Sequence, residues 1–205
     1  MSRPDAAFFL RDTVEVAEDL LGRYLVRRTD NEIIVCRITE TEAYVGAVDK
    51  ACHAYGGRRT KRTETLYAPP GTAYVYLIYG MYSCLNIVTE PEGTASAVLI
   101  RGAVPVYNED GAARRRFGVS AAQMTAVQRK NLMNGPGKLC KALSIDRTLN
   151  GLPFGSDELY IADELPELGL AKRPEGLPVL AGKRIGIDYA EEAVDFPWRF
   201  LLTDR

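Results

Sequence analysis

The feature that most constrains this chain is a pair of strand-like segments joined by a glycine, within TAYVYLIYGMYSCLN at residues 72–86. Both segments, Thr72–Tyr79 and Tyr82–Val88, are rich in β-branched and aromatic residues, which is typical of β-strands. Gly80 suits a tight turn between them, because glycine adopts a positive φ without strain. The sequence therefore predicts a β-hairpin, and its tip carries three large side chains: Tyr79, Met81 and Tyr82.

Large apolar side chains are unusual at a hairpin tip, where small polar residues are the ordinary choice. Exposed apolar groups of this kind usually need a partner that buries them. A nucleic-acid duplex is one such partner, because proteins insert apolar wedges between its base steps from the minor groove. The alternative is that the tip folds beneath another loop of the same protein, and the hairpin alone does not exclude it.

The length and composition predict one soluble domain over residues 1–205, with 46% hydrophobic and 26% charged residues. No apolar run approaches the roughly 20 residues of a membrane span, and the N-terminus lacks a signal-peptide pattern. The four cysteines are scattered and form no CxxC pair, which indicates buried, reduced thiols. We therefore expect a cytoplasmic protein without membrane association, and nothing in the sequence requires more than a monomer.

The net charge of −1 conceals a basic middle region. Residues 51–150 carry 13 basic and 6 acidic side chains, whereas residues 1–50 carry 7 and 10, and residues 151–205 carry 6 and 11. A local positive surface can neutralise phosphates even when the whole protein is nearly neutral. The alternative is a chance imbalance of solvated charges.

Further strands and short helices are predicted outside the hairpin. Alternating apolar residues and turn signals predict strands at Arg23–Arg28, Glu32–Tyr44, Ala95–Val106, Leu159–Ala162 and Lys183–Ile187. Capping residues and apolar spacing predict helices at Thr13–Leu21, Ala112–Phe117, Ser120–Met133 and Lys138–Leu143. The lack of strict βαβ alternation favours an α+β fold, with a curved, mainly antiparallel sheet flanked by helices and a protruding hairpin.

Two carboxylates and one guanidinium are candidates for chemistry. Glu40, Glu42 and Tyr44 share one face of a predicted strand, and a carboxylate inside a cleft can act as a general base. The alternative is a pair of solvated carboxylates on an exposed face. Arg101 ends an apolar run in a predicted strand, where a charge needs a partner such as Glu42 or Glu40. It can instead extend its charged end into solvent at a sheet edge.

Several kinds of site are excluded. His53 is the only histidine, which rules out a multi-histidine metal site, and we expect no metal or other cofactor. Neither a GxSxG nucleophile motif nor a Walker-type phosphate loop occurs. The only candidate phosphate loop is Asn134–Lys138, where Lys138 and backbone amides could hold one phosphate.

Five motifs occur in order along the chain: ETEAY, ACHAYGGRRTKR, YVYLIYGMYSCLN, VLIRGA and NGPGKLC. Together they resemble the alkyladenine (3-methyladenine) DNA glycosylase family of the antiparallel-sheet type, over about residues 20–145. A weaker likeness continues at residues 184–187 and 197–201. The resemblance implies a monofunctional enzyme that flips an alkylated or deaminated purine out of duplex DNA. The enzyme would then hydrolyse the N-glycosidic bond and leave an abasic site.

The same resemblance implies roles for individual residues. Glu42 would activate the water, which Arg101 and the backbone carbonyl of Ile185 would help to hold. The base pocket would be formed by Tyr44, His53, Tyr76 and Asn86, together with Ile185. The family pattern also implies that this asparagine disfavours guanine by crowding its 2-amino group.

The DNA contacts follow the motifs in the same way. Tyr79 would occupy the space that the flipped nucleotide leaves, with its neighbours Met81 and Tyr82 at the same tip. The DNA backbone would be contacted by Arg58, Arg62 and Lys138, with Arg59 and Lys61 in the same phosphate-contacting rim beside His53. The implied partner is double-stranded DNA that contains damaged purines such as 3-methyladenine, 7-methylguanine, hypoxanthine or ethenoadenine.

Two structural expectations accompany these roles. A two-residue hairpin loop would place Tyr76 and Asn86 on opposite faces of the sheet, so a shared pocket requires a three-residue loop or a bulge. We predict the bulge. Arg101 is also expected to keep the pKa of Glu42 low and the carboxylate ionised.

Three other functions remain open at this point. A nucleic-acid-binding module without catalysis would use the same hairpin and basic residues, and it would not need Glu42. A two-carboxylate glycoside hydrolase would use Glu40 and Glu42, although one strand does not place them on opposite faces of a sugar. A purely structural protein would leave the aromatic tip unexplained.

Overall fold

The computed structural model describes residues 2–203, and an antiparallel sheet forms the frame of this part of the chain. The strands that it contains are β1 (Tyr24–Arg28), β2 (Ile33–Tyr44), β3 (Ala73–Ile78), β4 (Tyr82–Thr89), β5 (Ser96–Tyr107), β6 (Leu159–Ala162), β7 (Val179–Gly182) and β8 (Arg199–Leu202). Six of them run in the order β3-β4-β5-β2-β1-β6, and β8 pairs with both β2 and β7. The protein is therefore α+β with a curved, mainly antiparallel sheet, as predicted.

The α-helices within residues 2–203 are short: α1 (Ala6–Phe9), α2 (Thr13–Asp19), α3 (Glu109–Phe117), α4 (Ala126–Lys130) and α5 (Pro136–Ala142). The longest has nine residues, and none in this range combines the length and apolarity that crossing a membrane demands. The predicted start of α2 is confirmed, because the Asp12 carboxylate accepts hydrogen bonds from two amides of the first turn. The four cysteines are buried and free of disulfides, as expected.

The two faces of the sheet pack against different parts of the chain. One face packs on α2 and α5 through apolar side chains that include Val75, Ile87 and Ile100. Across the other face, paired residues of four neighbouring strands form a continuous row: Tyr74, Asn86, Leu99 and Glu42. Because side chains alternate along a strand, this row faces away from the helices. The candidate site residues therefore lie on the face that the helices leave open.

The hairpin of β3 and β4 has a three-residue loop at positions 79–81, since Ile78 pairs with Tyr82. The ladder between the two strands has no register shift, so the predicted bulge is wrong and the loop length alone sets the register. Tyr76 and Asn86 consequently lie on the same face of the sheet, as a shared pocket requires.

The single helix predicted over Ser120–Met133 is wrong. Ser120 and Gln123 do form a capping pair, but they cap only one 3-10 turn, after which Met124 is extended with ψ 133°. Thr125 then begins α4 with a capping box of its own. The segment thus contains two helix-start signals, Ser120 and Thr125. Each is an N-cap residue in an extended conformation, so no single helix can run through both.

The strand predicted at Lys183–Ile187 is also wrong, and β8 was not predicted. The strand in this region ends at Gly182, and the following residues form a loop that crosses the open face of the sheet. Arg184 in this loop is buried in an ion pair with Asp49, a contact between distant parts of the sequence. The local pattern carries no signal for such a contact.

Candidate active site

A β-bulge where β5 pairs with β2 brings three charged side chains together. The register shifts between Glu40 and Thr41, which leaves Arg101 as the extra residue of β5. The Nε of Arg101 lies 3.1 Å from Oε1 of Glu40 and 3.6 Å from Oε1 of Glu42. Bulges often re-aim a side chain beside an active site. Here the bulge directs one guanidinium toward both carboxylates, so the predicted pairing of Arg101 is confirmed.

The carboxylate of Glu42 is fully buried and held from two sides. Its Oε1 accepts a hydrogen bond from the amide of Ile185 at 2.9 Å, and its Oε2 accepts one from the hydroxyl of Tyr44 at 2.8 Å. Burial raises the pKa of Glu42, although Arg101, the amide and the hydroxyl all act in the opposite direction. The expectation that Arg101 keeps this pKa low is wrong, because desolvation outweighs a guanidinium shared with Glu40.

Tyr44 has a defined protonation state beside this carboxylate. Burial, the nearby charge of Glu42 and their hydrogen bond raise the pKa of Tyr44 well above its ordinary value. The phenol therefore stays protonated and acts as the donor. A buried carboxylate fixed by such donors is suited to take a proton from a water molecule, because a raised pKa lies closer to neutral pH than that of an ordinary carboxylate.

Aromatic side chains line a pocket that begins next to Glu42. Tyr74 and Tyr76 stack with ring centroids 5.2 Å apart, and His53 meets Tyr76 edge-on at 4.6 Å. The other walls come from Tyr44 and Asn86, which puts four of the five predicted pocket residues around one space. Their arrangement suits a flat ring, because aromatic walls stack on planar groups. The fifth predicted residue, Ile185, does not line this space and instead contacts Glu42 through its backbone amide.

His53 is fixed in this pocket as a neutral ring. Its Nδ1 lies 3.0 Å from the hydroxyl of Tyr74. Burial, together with the positive charge of Arg62, lowers the pKa of His53 to about 4. At neutral pH the imidazole is therefore uncharged, and it does not repel a cationic ring that enters beside it.

The pocket is closed in this structure. Its cavity volume is about 20 Å³, which is room for roughly one water molecule and far less than a purine occupies. A purine can enter only after a wall side chain moves. Tyr76 and His53 border more open clefts on their outer sides, which makes them the walls with space to move.

Tyr74 is a pocket residue that sequence reasoning missed. It lies two residues before Tyr76 in a strand, so the period-two alternation already placed both rings on one face. Its backbone carbonyl also accepts a hydrogen bond from the amide nitrogen of Asn86 at 3.2 Å, which fixes that side chain. The two-residue spacing between Tyr74 and Tyr76 was therefore the sequence pattern that could have predicted Tyr74 as a pocket residue.

The hairpin tip is exposed, as the sequence suggested. Tyr79 is 84% and Met81 70% exposed, so the alternative in which the tip folds beneath another loop is wrong within the described residues. Tyr79 and Gly80 both have positive φ, 53° and 70°, and the turn closes with a bond from the amide of Met81 to the carbonyl of Ile78. The tight turn projects two large side chains into solvent.

Tyr82 differs from the other two residues of the tip. It is 45% exposed, and its ring packs so closely on Gly137 that a Cβ there would lie 3.0 Å from the Cβ of Tyr82. A glycine at this position of α5 is what allows the contact. Tyr82 therefore packs this end of the hairpin against α5, whereas Tyr79 and Met81 are available to a partner.

Basic side chains surround the pocket and the tip. Within residues 2–203 neither Arg58 nor Arg62 has an ion pair, whereas Arg59 pairs with Glu64 at 2.7 Å. On the other side of the hairpin, the ammonium of Lys138 donates to two asparagine oxygens and has no carboxylate partner within residues 2–203. In the described part of the chain, Arg58, Arg62 and Lys138 therefore lack a counter-charge.

A buried ion pair, which was not predicted from the sequence, holds in place the loop that contacts Glu42. Arg184 and Asp49 are both fully buried and joined by two hydrogen bonds of 2.5 and 2.8 Å. The guanidinium also donates to the carbonyl of Ala43 and lies 4.8 Å from the ring centre of Tyr44. Because Arg184 directly precedes Ile185, the pair holds in place the amide that binds Glu42.

The site combines a buried carboxylate, a small aromatic pocket, an exposed hairpin tip and cations that have no ion pair in the described residues. This combination is typical of an enzyme that hydrolyses the bond to a planar base carried by a polyanion. Comparison with known proteins agrees, because the family model described as Methylpurine-DNA glycosylase matches residues 7–205. The chain belongs to this family, which makes it a DNA glycosylase, a hydrolase of base excision repair.

Relatives of high identity are similar over almost the whole chain. One from Clostridium perfringens (strain 13 / Type A) is 50% identical over 199 residues, which is 97% of this chain and 94% of the relative. One from Desulfitobacterium hafniense (strain Y51) is 48% identical over 204 residues, 100% of this chain and 97% of the relative. Both carry the name "Putative 3-methyladenine DNA glycosylase".

Proposed function

We propose that this protein excises alkylated or deaminated purines from duplex DNA by flipping the damaged nucleotide into the aromatic pocket and hydrolysing its N-glycosidic bond. The substrates would be 3-methyladenine, 7-methylguanine, hypoxanthine and ethenoadenine. The observation that carries the proposal is the fully buried Glu42 carboxylate, fixed by Ile185 and by Tyr44, which also lines the aromatic pocket. A binding module without chemistry has no need of such a carboxylate, since burying it is costly.

The base would stack between the tyrosines and His53. N3- and N7-methylated purine nucleosides are cationic, and each electron-rich ring face attracts a cation by about 0.5–2 kcal/mol. The neutral state of His53 adds no repulsion to this attraction. Asn86 would disfavour unmodified guanine by crowding its 2-amino group, and its bond to the Tyr74 carbonyl keeps it from turning aside. 7-Methylguanine meets the same crowding, but its positive charge gains the attraction of the tyrosine faces.

Hydrolysis would follow from the position of Glu42. The carboxylate accepts a proton from a water molecule as the water oxygen bonds to C1′ of the sugar, and the bond from C1′ to the base breaks. The electron pair of that bond leaves with the base, so a cationic methylpurine departs as a neutral molecule. Arg101 and the backbone carbonyl of Ile185 would position the water, since Arg101 lies 3.6 Å from the carboxylate and the amide of the same Ile185 donates to it.

The remaining surface would hold the duplex open. Flipping costs a few kcal/mol, and least for damaged or poorly paired bases. Tyr79 and Met81 would enter the space left in the base stack, with Tyr82 packed against α5 behind them. Arg58, Arg62 and Lys138 would contact phosphates of the duplex. One protein molecule, acting as a monomer, would bind one duplex.

A direct test uses a duplex with one hypoxanthine or ethenoadenine at a defined position. The protein is expected to release the free base and to leave an abasic site, which hot alkali converts to a strand break. An undamaged duplex of the same sequence is the control. Tight binding of the damaged duplex without any base release would instead favour the non-catalytic binding module.

The rate of base release is expected to fall at acid pH with a midpoint above 4.5. Glu42 must be ionised to accept a proton, and burial raises its pKa above the ordinary value of 4.5. 7-Methylguanine is the best substrate for this measurement, because it leaves without further protonation. Single-turnover rates should fall about tenfold per pH unit below the midpoint. A rate that stays constant down to pH 4.5 would contradict a raised pKa.

Replacing Tyr79 by alanine is expected to lower base release by about 5- to 150-fold, because each aromatic stacking contact contributes about 1–3 kcal/mol. The melting temperature should not change, since the side chain is 84% exposed. The fluorescence of ethenoadenine, which stacking quenches, reports the extent of flipping. Tyr107→Ala, at another exposed tyrosine far along β5, is the matched control. Unfolding of Tyr79→Ala would show that Tyr79 is part of the core.

A further inference from the structure

A basic cleft, separate from the base pocket, lies at the free edge of β3. It is on the outer side of Tyr76, one of the walls of that pocket. It has a cavity volume of about 370 Å³ and is lined by the edge residues Val75, Tyr76 and Leu77, together with Lys61, Arg62, Arg147 and Asn150. Within residues 2–203, β3 is the terminal strand of the sheet, so no further strand covers this edge at residues 75–77. Tyr76 separates the cleft from the base pocket, because it lines both.

The charge of this cleft is positive and uncompensated. Within residues 2–203, none of Lys61, Arg62 and Arg147 has an ion pair. The carboxylate next to Arg147 in sequence, Asp146, is instead occupied by the amide and hydroxyl of Thr148. Three cations converge on one concave surface with no anion of the protein among them, which is an arrangement that attracts an anionic ligand.

The polar groups of the cleft are also held in place. The amide oxygen of Asn150 accepts a hydrogen bond from the backbone nitrogen of Val75 at 2.9 Å, and its nitrogen donates to Thr65 at 2.8 Å. Outward and inward amides alternate along an antiparallel edge strand. Since the amide of Val75 points outward, that of Leu77 does so as well. The cleft therefore combines a fixed side chain, an outward backbone N–H and three cationic side chains.

We propose that this cleft binds a phosphate of the DNA strand that carries the damaged nucleotide. The proposal rests on the glycosylase function and adds Arg147 and the amide of Leu77 to the predicted phosphate contacts, two of which, Lys61 and Arg62, line the same cleft. The guanidinium of Arg147 and the amide of Leu77 would donate to the phosphate oxygens, and Lys61 would add a positive charge. The damaged strand is the one concerned, because the cleft adjoins Tyr76, which receives the nucleotide from that strand.

The first test is the salt dependence of binding to a duplex with a tetrahydrofuran abasic-site analogue, which the enzyme cannot cleave. Arg147→Ala is expected to bind more weakly and to reduce the slope of log affinity against log salt by about 0.9, the value for one phosphate contact. Arg28→Ala is the matched control, because this exposed arginine of β1 lies at the opposite side of the sheet. An unchanged slope for Arg147→Ala would overturn the proposal.

The second test locates the phosphate. Single neutral methylphosphonates are placed in turn along each strand of the same duplex. One position in the damaged strand should weaken binding of the wild type but not of Arg147→Ala. Identical profiles for the two proteins, or a position in the undamaged strand, would refute the subsite. Base release by the wild type, measured separately, shows whether the glycosylase function itself holds.

Discussion

Glutamine in place of Glu42 is expected to lower the rate of base release by about 10²–10⁴-fold, the usual contribution of a general base. The amide has the same shape as the carboxylate and can accept from the amide of Ile185 and donate to the hydroxyl of Tyr44, but it cannot take a proton from water. Binding of a damaged duplex should be retained, because the pocket and the hairpin are untouched. Single-turnover release from a duplex with one ethenoadenine measures the effect.

The same substitution is not expected to destabilise the fold at neutral pH. The pKa of Glu42 is higher in the folded than in the unfolded protein, so its ionisation costs stability as the pH rises above the unfolded value. Glutamine removes this cost, and the melting temperature at pH 7 should be equal to or higher than that of the wild type. The stability difference should disappear in acid, where Glu42 is protonated in both states.

Glu40→Gln is the matched control, since it makes the same change two residues away on β2. Glu40 is bound by Arg101 and Arg199 and is not one of the described residues that line the pocket, so its replacement should reduce base release far less than that of Glu42. Equal losses for both variants would favour a mechanism with two essential carboxylates. Similar release by the wild type and Glu42→Gln would refute the assignment of Glu42.

The parts of the fold that the sequence predicts are those with strong local patterns. The hairpin, β2 and β5 were recognised because alternation and turn residues are properties of neighbouring positions. The same alternation placed Glu42 and Tyr44 on one face, and the charge at Arg101 within an apolar strand predicted its pairing with a carboxylate. These residues needed no knowledge of distant contacts.

The parts that failed depend on contacts between distant segments. The pKa of Glu42 is raised because other segments bury it, whereas the sequence suggested only the opposing influence of Arg101. The loop at Arg184 was taken for a strand, since neither its burial nor its partner Asp49 has a local signature. The division of the 120–133 helix is a different case, because both capping signals were present in the sequence.

The second large effect is expected from Asp49→Ala. This change leaves the fully buried guanidinium of Arg184 without its counter-charge, and breaking a buried pair in this way costs about 3–5 kcal/mol. For a chain of this size that corresponds to a fall in melting temperature of roughly 6–20 °C, at about 2–4 °C per kcal/mol. Two backbone amides, those of Val45 and Ala51, also lose their acceptor.

The surviving folded enzyme should show a shifted pH profile as well. Arg184 anchors the loop whose next residue, Ile185, donates its amide to Glu42. A loosened loop weakens that hydrogen bond, which is one of the contacts that lower the pKa of Glu42. The acid limb of base release should therefore move to higher pH in Asp49→Ala, measured well below its melting temperature with 7-methylguanine as substrate.

Asp195→Ala separates this effect from the general loss of an ion pair. Asp195 pairs with Lys183, the residue just before Arg184, but both side chains of that pair are mostly exposed. Exposed pairs contribute little to stability, so neither the melting temperature nor the pH profile should change appreciably. Replacing the buried pair together, as Asp49→Leu with Arg184→Met, should recover much of the lost stability, because no unpaired charge remains. If the double variant melts as low as Asp49→Ala, an unpaired buried charge is not the cause of the loss.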